Sequence, residues 1–203
     1  MKYLKKICAT GLIMTAVNTL PALAEQPSYR YVAVGYNHVN IGDDDLGSAD
    51  GLLFNANFDL AKNVFVRAGT ANAEGSADYY GYDLDFEQTM TNFGLGFKTA
   101  LSETASFYGV VDLLRIDVDS TFDSESESDK DTGNAIEIGV RNMMSNQFEL
   151  SANIARLDAF DDTQTQLGIG ATFLLGQSAG VSLNLARDDA SDVTTSFELR
   201  ALF

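Results

Sequence analysis

The 203-residue chain has one cysteine, Cys8, and no tryptophan. Cys8 falls inside the N-terminal stretch "MKYLKKICATGLIMTAVNTLPALAEQ", so the remainder can build neither a disulfide nor a thiolate metal site. Its early position and its following residues exclude a lipoprotein acceptor. Many small exported domains depend on disulfides, and this chain must find stability elsewhere. Without tryptophan, any aromatic belt at a membrane interface falls to tyrosine and phenylalanine. Lysine is scarce as well: after residue 6 only Lys62, Lys98 and Lys130 occur. Long apolar runs are also missing beyond residue 24, where Asp, Glu, Arg or Gly interrupts every candidate for a spanning helix of roughly 20 residues. That excludes helical crossing and leaves strands, whose alternating pattern gives a weaker hydropathy signal.

Lys2, Lys5 and Lys6 precede an apolar stretch from Ile7 to Val17 and a small-x-small site at Ala22-Leu23-Ala24. This is the layout of a secretory signal peptide. Residues 1–24 are expected to be removed after Ala24, leaving 25–203 as one exported domain. Loss of three lysines takes Lys+Arg from 13 to 10 against 29 Asp+Glu, so the net charge moves from −16 to −19. A chain so acidic repels nucleic acid, which excludes that class of partner.

Period-two alternation dominates the rest. "GLLFNANFDL" sets Leu52, Phe54, Ala56, Phe58 and Leu60 against Leu53, Asn55, Asn57 and Asp59. "NAIEIGVRN" sets Ile136, Ile138 and Val140 against Glu137, Gly139 and Arg141. "TQLGIGATFLL" and "GVSLNLARD" behave alike. Ten strands are predicted, near 29–40, 50–60, 63–73, 84–99, 105–119, 134–143, 147–157, 164–175, 180–189 and 193–203. The fifth, "SFYGVVDLLRIDVD", is apolar on both faces in its middle, and a bulge or register ambiguity is expected there. Short turns such as "AKN" and "MSNQ" alternate with longer acidic connections such as "EGSADYYGYD" and "STFDSESESDKDTG".

Polarity separates a soluble sandwich from a membrane barrel. The polar faces carry Gly, Ala, Ser, Thr, Asn and Gln, and lysine, the common cover of water-facing strands, is nearly absent. Each bulky apolar stripe is long enough to cross a bilayer, with small or polar residues left for the interior. The expected fold is all-β: a transmembrane, antiparallel up-and-down barrel of about ten strands, closed because a spanning sheet must satisfy every backbone group.

The terminal "TSFELRALF" adds a resemblance. With the signal peptide and amphipathic strands, it is similar to Gram-negative outer-membrane β-barrel proteins, in style near the small Ail/OmpX and OmpA-type barrels of the porin family. Those have eight strands, which stands as the alternative to ten. The resemblance implies that Phe197, Leu199 and Phe203 form the assembly signal read by the barrel-assembly machinery, with periplasmic chaperones as earlier partners. It also implies residence as a monomer in the outer membrane, among its lipid and lipopolysaccharide.

Candidate residues fall into four groups. Asp59, Arg67, Lys98, Glu137, Arg141, Glu149, Glu198 and Arg200 are expected to form a charge network in the lumen, either cross-braced or lining a constriction. Gly94, Gly96, Gly168 and Gly170 would make room for neighbouring side chains. The acids Asp123, Glu125, Glu127, Asp129 and Asp131 lack the spacing of a calcium-binding loop, so neither a metal nor another cofactor is expected. His38, near Asp43, Asp44 and Asp45, could act as a general base at the rim. Tyr29, Tyr31, Tyr36, Phe65, Phe107, Tyr108, Phe148, Phe173 and Phe203 suit interfacial girdles, whereas Tyr79, Tyr80 and Tyr82 are candidates for surface contact. The functional expectation is a non-enzymatic barrel with a filled lumen and a structural or adhesin-like role. A narrow passive channel for ions or small solutes is the alternative, and a rim hydrolase comes third.

Overall fold

A computed structural model describes residues 27–42, 47–79, 82–122 and 125–203, apart from the side chains of 78–79 and 82–83. The proposed signal peptide lies outside these residues. Ten strands run as β1 (Tyr31–Asn40), β2 (Ser48–Ala61), β3 (Val64–Tyr79), β4 (Tyr82–Ala100), β5 (Ala105–Phe122), β6 (Glu125–Ser145), β7 (Phe148–Ala159), β8 (Asp162–Leu174), β9 (Ala179–Asp188) and β10 (Val193–Leu202). Each pairs antiparallel with its sequence neighbours, and β1 pairs with β10 from Tyr31↔Leu202 to Asn40↔Val193, closing the barrel. The eight-strand alternative is thereby excluded.

The barrel is inside-out over its lower part. Leu52, Phe54, Phe93, Leu95, Leu113, Ile136, Leu167, Ile169 and Leu199 are exposed on the outer wall, while Asn37, Asn55, Asn57, Arg67, Gln166, Asn184 and Glu198 are buried inside. Such an arrangement is stable only where hydrocarbon replaces water outside. Among the described residues no helix is long and apolar enough to cross a membrane, and the crossing is made by strands.

Higher up, the polarity reverses. Below Leu113, β5 points Phe107, Val111 and Leu113 outward and Ser106, Tyr108 and Asp112 inward. Beyond it, Arg115, Asp117 and Asp119 face out and Leu114, Ile116 and Val118 face in. The neighbouring β4 changes in the same row, since Phe93 pairs with Leu113 and Thr91 with Arg115. Leu114, Ile116 and Val118 join Leu53, Ala71, Leu84, Phe86, Met90 and Leu157 in an apolar core that fills this part of the barrel. Where water bathes both ends of the rim, the ordinary rule of apolar inside and charged outside returns. The row Phe93–Leu113 therefore marks the outer limit of the bilayer.

This reversal corrects the expectation of a bulge in the fifth strand. Both ladders of β5 keep register from end to end, and the irregularities of the sheet lie at Asp59/Ala61 and Met143/Ser145. A second correction concerns the long acidic connections. Residues 74–79, 82–83, 120–122 and 125–133 are strand, not loop, so β3–β4 and β5–β6 form tall hairpins. From Leu113 to Phe122, β5 continues for roughly 30 Å of strand at about 3.3 Å per residue.

Candidate functional site

The lumen holds the densest chemistry. Arg67 projects inward from β3 between β5 and β6. Its Nε donates to Asp112 Oδ1 at 2.8 Å and its Nη1 to Glu137 Oε2 at 2.7 Å, and a further contact joins Nη2 to Asp112 Oδ2. Tyr108 Oη donates to Glu137 Oε1 at 2.7 Å, and Asn92 Nδ2 to Asp112 Oδ1 at 3.1 Å. Glycine makes these approaches possible. A Cβ on Gly94 would stand 2.1 Å from Asp112 Oδ1, and one on Gly139 would stand 2.2 Å from the Tyr108 hydroxyl.

Two further clusters lie toward the end with the short turns. Arg141 on β6 pairs with Glu149 on β7 and lies 4.7 Å from the ring centre of Tyr29. Lys98 donates to Asp59 at 2.5 Å and approaches the same ring to 4.5 Å. Arg200 binds Glu198 through Nε at 3.0 Å and Nη2 at 2.6 Å, reaches Thr172 Oγ1 at 3.4 Å, and covers Tyr31 at 5.0 Å. Asn57 donates to the Tyr31 hydroxyl at 2.9 Å. Arg67, Glu137, Arg141, Glu149, Glu198 and Arg200 are buried inside the barrel, and Asp59 and Lys98 line its open lower mouth.

Asp112 belongs to the same network but went unnoticed in the sequence, because it stands inside an apparently apolar run. Four aromatic residues also need correction. Tyr29, Tyr31, Phe65 and Tyr108 were expected in interfacial girdles, yet all four are buried within the barrel. The rings of Tyr29 and Tyr31 cover Lys98, Arg141 and Arg200, an attraction worth about 0.5–2 kcal/mol each when desolvated, while Phe65 stacks on Tyr29. Tyr36, Phe148, Phe173 and Phe203 do face outward.

Little open space crosses this interior. At the level of Arg67, Asn92, Asp112 and Leu114 the cavity measures about 20 Å³, room for about one water and not for a continuous water-filled path. Below it a vestibule of about 760 Å³ opens at the lower mouth, lined by Tyr29, Asp59, Lys98, Glu103 and Ser106.

The other candidates lie outside the lumen. His38 faces outward, and its Nδ1 meets Asp50 Oδ1 at 2.7 Å, where the Tyr36 hydroxyl also donates at 2.6 Å. Asp43, Asp44 and Asp45 lie outside the described residues. Of the acidic series, Asp123 is likewise outside, Glu125 and Glu127 are exposed, and Asp131 accepts the Phe160 amide. That last contact holds the β7–β8 turn, where Phe160 and Asp161 both take positive φ (53° and 58°), the backbone of a tight hairpin. No group of three or more His, Cys, Asp or Glu among the described residues could hold a metal ion. Tyr80 and the side chains of Tyr79 and Tyr82 lie outside the described residues. On β10, Phe197 and Leu199 face outward, and Phe203 packs its ring 5.5 Å from that of Phe58.

A closed sheet with an apolar outer belt, a polar braced interior and tall hairpins on one side defines an integral β-barrel of the outer membrane. The sequence matches the outer membrane protein beta-barrel domain over residues 10–196, and the chain belongs to that family. Comparison with curated proteins gives no match. Among solved structures, the transport unit of the autotransporter AIDA-I from Escherichia coli aligns at a TM-score of 0.59 and 10% identity, covering 99% of this chain and 97% of that one. An outer membrane channel from Pseudomonas putida aligns at 0.51 and 10%, covering 95% and 100%. The attachment invasion locus protein of Yersinia pestis is similar at 15% identity with a TM-score of 0.42, covering 86% and 98%. At these identities the likeness is one of fold.

Proposed function

We propose that this outer-membrane barrel is a closed scaffold that presents the β3–β4 and β5–β6 hairpins at the cell surface, in a structural or adhesin-like role without catalysis. The observation that carries the reading is the filled lumen. Four cations, Arg67, Lys98, Arg141 and Arg200, are tied to five carboxylates, Asp59, Asp112, Glu137, Glu149 and Glu198. Such near-balance braces an interior, whereas a selective pore concentrates one sign of charge around water. The apolar core above the charges adds a second barrier.

The part that stands furthest from the membrane is acidic. Glu74, Glu87 and Asp119 sit opposite one another on β3, β4 and β5, and Asp85 lies in the next outward row. A partner for this blade carries positive charge or none, because like charges brought against it are repelled. His38 is given no catalytic part in this reading, being paired on the outer wall to Asp50, whose carboxylate also accepts from Tyr36.

Conductance in a planar bilayer tests the scaffold against the passive channel. The expected result is no stepwise current above background for the native protein, Arg141→Ala or Glu137→Ala. Steady unitary currents from the native protein would overturn the reading. For biogenesis, we propose that Phe197, Leu199 and Phe203 guide assembly. Phe203→Ala should lower the fraction of heat-modifiable, outer-membrane protein in cells while leaving refolding in detergent intact, and equal losses in both would refute a role confined to assembly.

A further inference from the structure

The chain carries 29 acids against 13 Lys and Arg, yet two of its outward-facing arginines, Arg156 and Arg187, form no salt bridge among the described residues. Arg115 and Lys130, by contrast, share Asp117. The acids nearest in sequence are otherwise engaged. Asp158 accepts the Thr163 hydroxyl and Asp189 the Thr165 amide, while Arg187 reaches only Ser191 Oγ at 3.3 Å. Each arginine follows the last apolar outward residue of its strand, Ile154 on β7 and Leu185 on β9. Both therefore stand at the outer edge of the hydrocarbon, at the depth of lipid phosphates.

Directly beneath them the outer wall is indented. A groove of about 470 Å³ runs across β6–β9, with Ala152 and Ala171 as its floor and Val140, Ile169, Leu183 and Leu185 among its walls. Ala152 lies four residues below Arg156, and Leu183 four below Arg187, which is about 13 Å along each strand. The groove thus sits where acyl chains hang from headgroups held by the two arginines. Arg156 pairs with Thr165 and Arg187 with Leu167 on the intervening β8. Two strand spacings and two residues separate the guanidinium-bearing positions by about 12 Å. A single-phosphate lipid engages one of them; a saccharolipid with a phosphate at each end of its disaccharide spans both.

We propose that this face of β7–β9 is a binding site for the phosphorylated saccharolipid of the outer leaflet, lipopolysaccharide, with phosphates on Arg156 and Arg187 and acyl chains in the groove below. Charge decides the occupant. A second copy docking by the same face would bring four unpaired guanidinium groups together, which costs energy in a low-dielectric setting. The site is independent of whatever the tall hairpins bind.

The test uses the full barrel, stripped of endogenous lipid in detergent and titrated with short-core lipopolysaccharide or with phosphatidylglycerol under native mass spectrometry. The native protein should retain lipopolysaccharide well above phosphatidylglycerol. Arg156→Gln and Arg187→Gln should each weaken retention roughly tenfold, the scale of one charge-assisted contact. Ala152→Phe with Ala171→Phe keeps both charges but fills the groove, and should weaken it too; Ala152→Leu replaces that pair where heat-modifiable mobility shows misfolding. Unchanged retention in the double glutamine variant would overturn the site. So would equal retention of phosphatidylglycerol, or a dimer that the groove-filling variant abolishes.

Discussion

Replacing Arg67 with methionine isolates the energetics of the closed lumen. The Asp112 and Glu137 side chains are 1% and 2% exposed, and Arg67 is the cation bound to both. Without it the two carboxylates face each other in a nearly closed space with room for about one water, served by Asn92 and Tyr108. Removing one member of a buried ionic cluster strands the others, at about 3–5 kcal/mol. Neutralising the whole cluster should not carry that cost. Arg67→Met combined with Asp112→Asn and Glu137→Gln keeps the shapes while abolishing every charge, and is expected to return close to native stability. Urea unfolding in detergent micelles, followed by circular dichroism and gel mobility because the chain lacks tryptophan, measures both variants. A loss below about 1 kcal/mol for Arg67→Met alone, the scale of an exposed ion pair, would refute the claim that this region is closed and braced.

Three other perturbations reach separate parts of the barrel. Gly96→Ala places a Cβ 2.2 Å from the Phe65 ring; it should cost about 1–3 kcal/mol of unfolding free energy, recovered by adding Phe65→Leu, and no recovery would mean that the ring is not the obstacle. Ile116→Ala removes a fully buried side chain from the apolar upper core, so about 2–5 kcal/mol should be lost, with hydrogen exchange accelerated in the upper β4–β5–β6 hairpins more than in the lower belt. Asp188 lies beyond the apolar belt of β9, where burial first and the neighbouring Asp192 second push its carboxyl up to about 7. A raised value in the folded state means the protonated form stabilises the fold at acid pH, and this contribution is lost as pH rises through about 7. Asp188 Oδ1 accepts the Asp192 amide and its Oδ2 the Gln164 side chain, so protection of the β9–β10 turn should fall from about pH 4 to about pH 7 in the native protein and stay level in Asp188→Asn.

The belt of Leu52, Phe54 and Phe58, and the inward charges of β6 and β10, were legible because those strands keep one environment on each face throughout the stretch that was read. Alternation assumes just that. It fails on β5, which leaves the bilayer midway: "VVDLLRI" combines a lipid-facing Val111 and Leu113 with a core-facing Leu114 and Ile116, so both faces read apolar and Asp112 between them is hidden. The tall hairpins escaped notice for a related reason. "EGSADYYGYD" is rich in residues that favour turns, yet ladder hydrogen bonds are made by the backbone and tolerate Gly, Ser and Asp when an adjoining strand holds the register. Tyr29, Tyr31 and Tyr108 were read as interfacial because tyrosine is amphipathic. The same property suits a lumen crowded with cations, and composition does not distinguish the two settings. What does distinguish them is the partner across the sheet: Gly139 stands beside Tyr108 and Gly96 beside Phe65, each vacating the space that an inward ring needs. Period two thus locates the strands, while the point at which the apolar face changes side locates the membrane surface. On β4 and β5 that point is a single paired row, Phe93 with Leu113 below it and Thr91 with Arg115 above. A barrel whose outward face turns polar there has to fill its interior with apolar side chains to stay closed in water, and Leu114, Ile116, Val118, Leu84, Phe86 and Met90 do so.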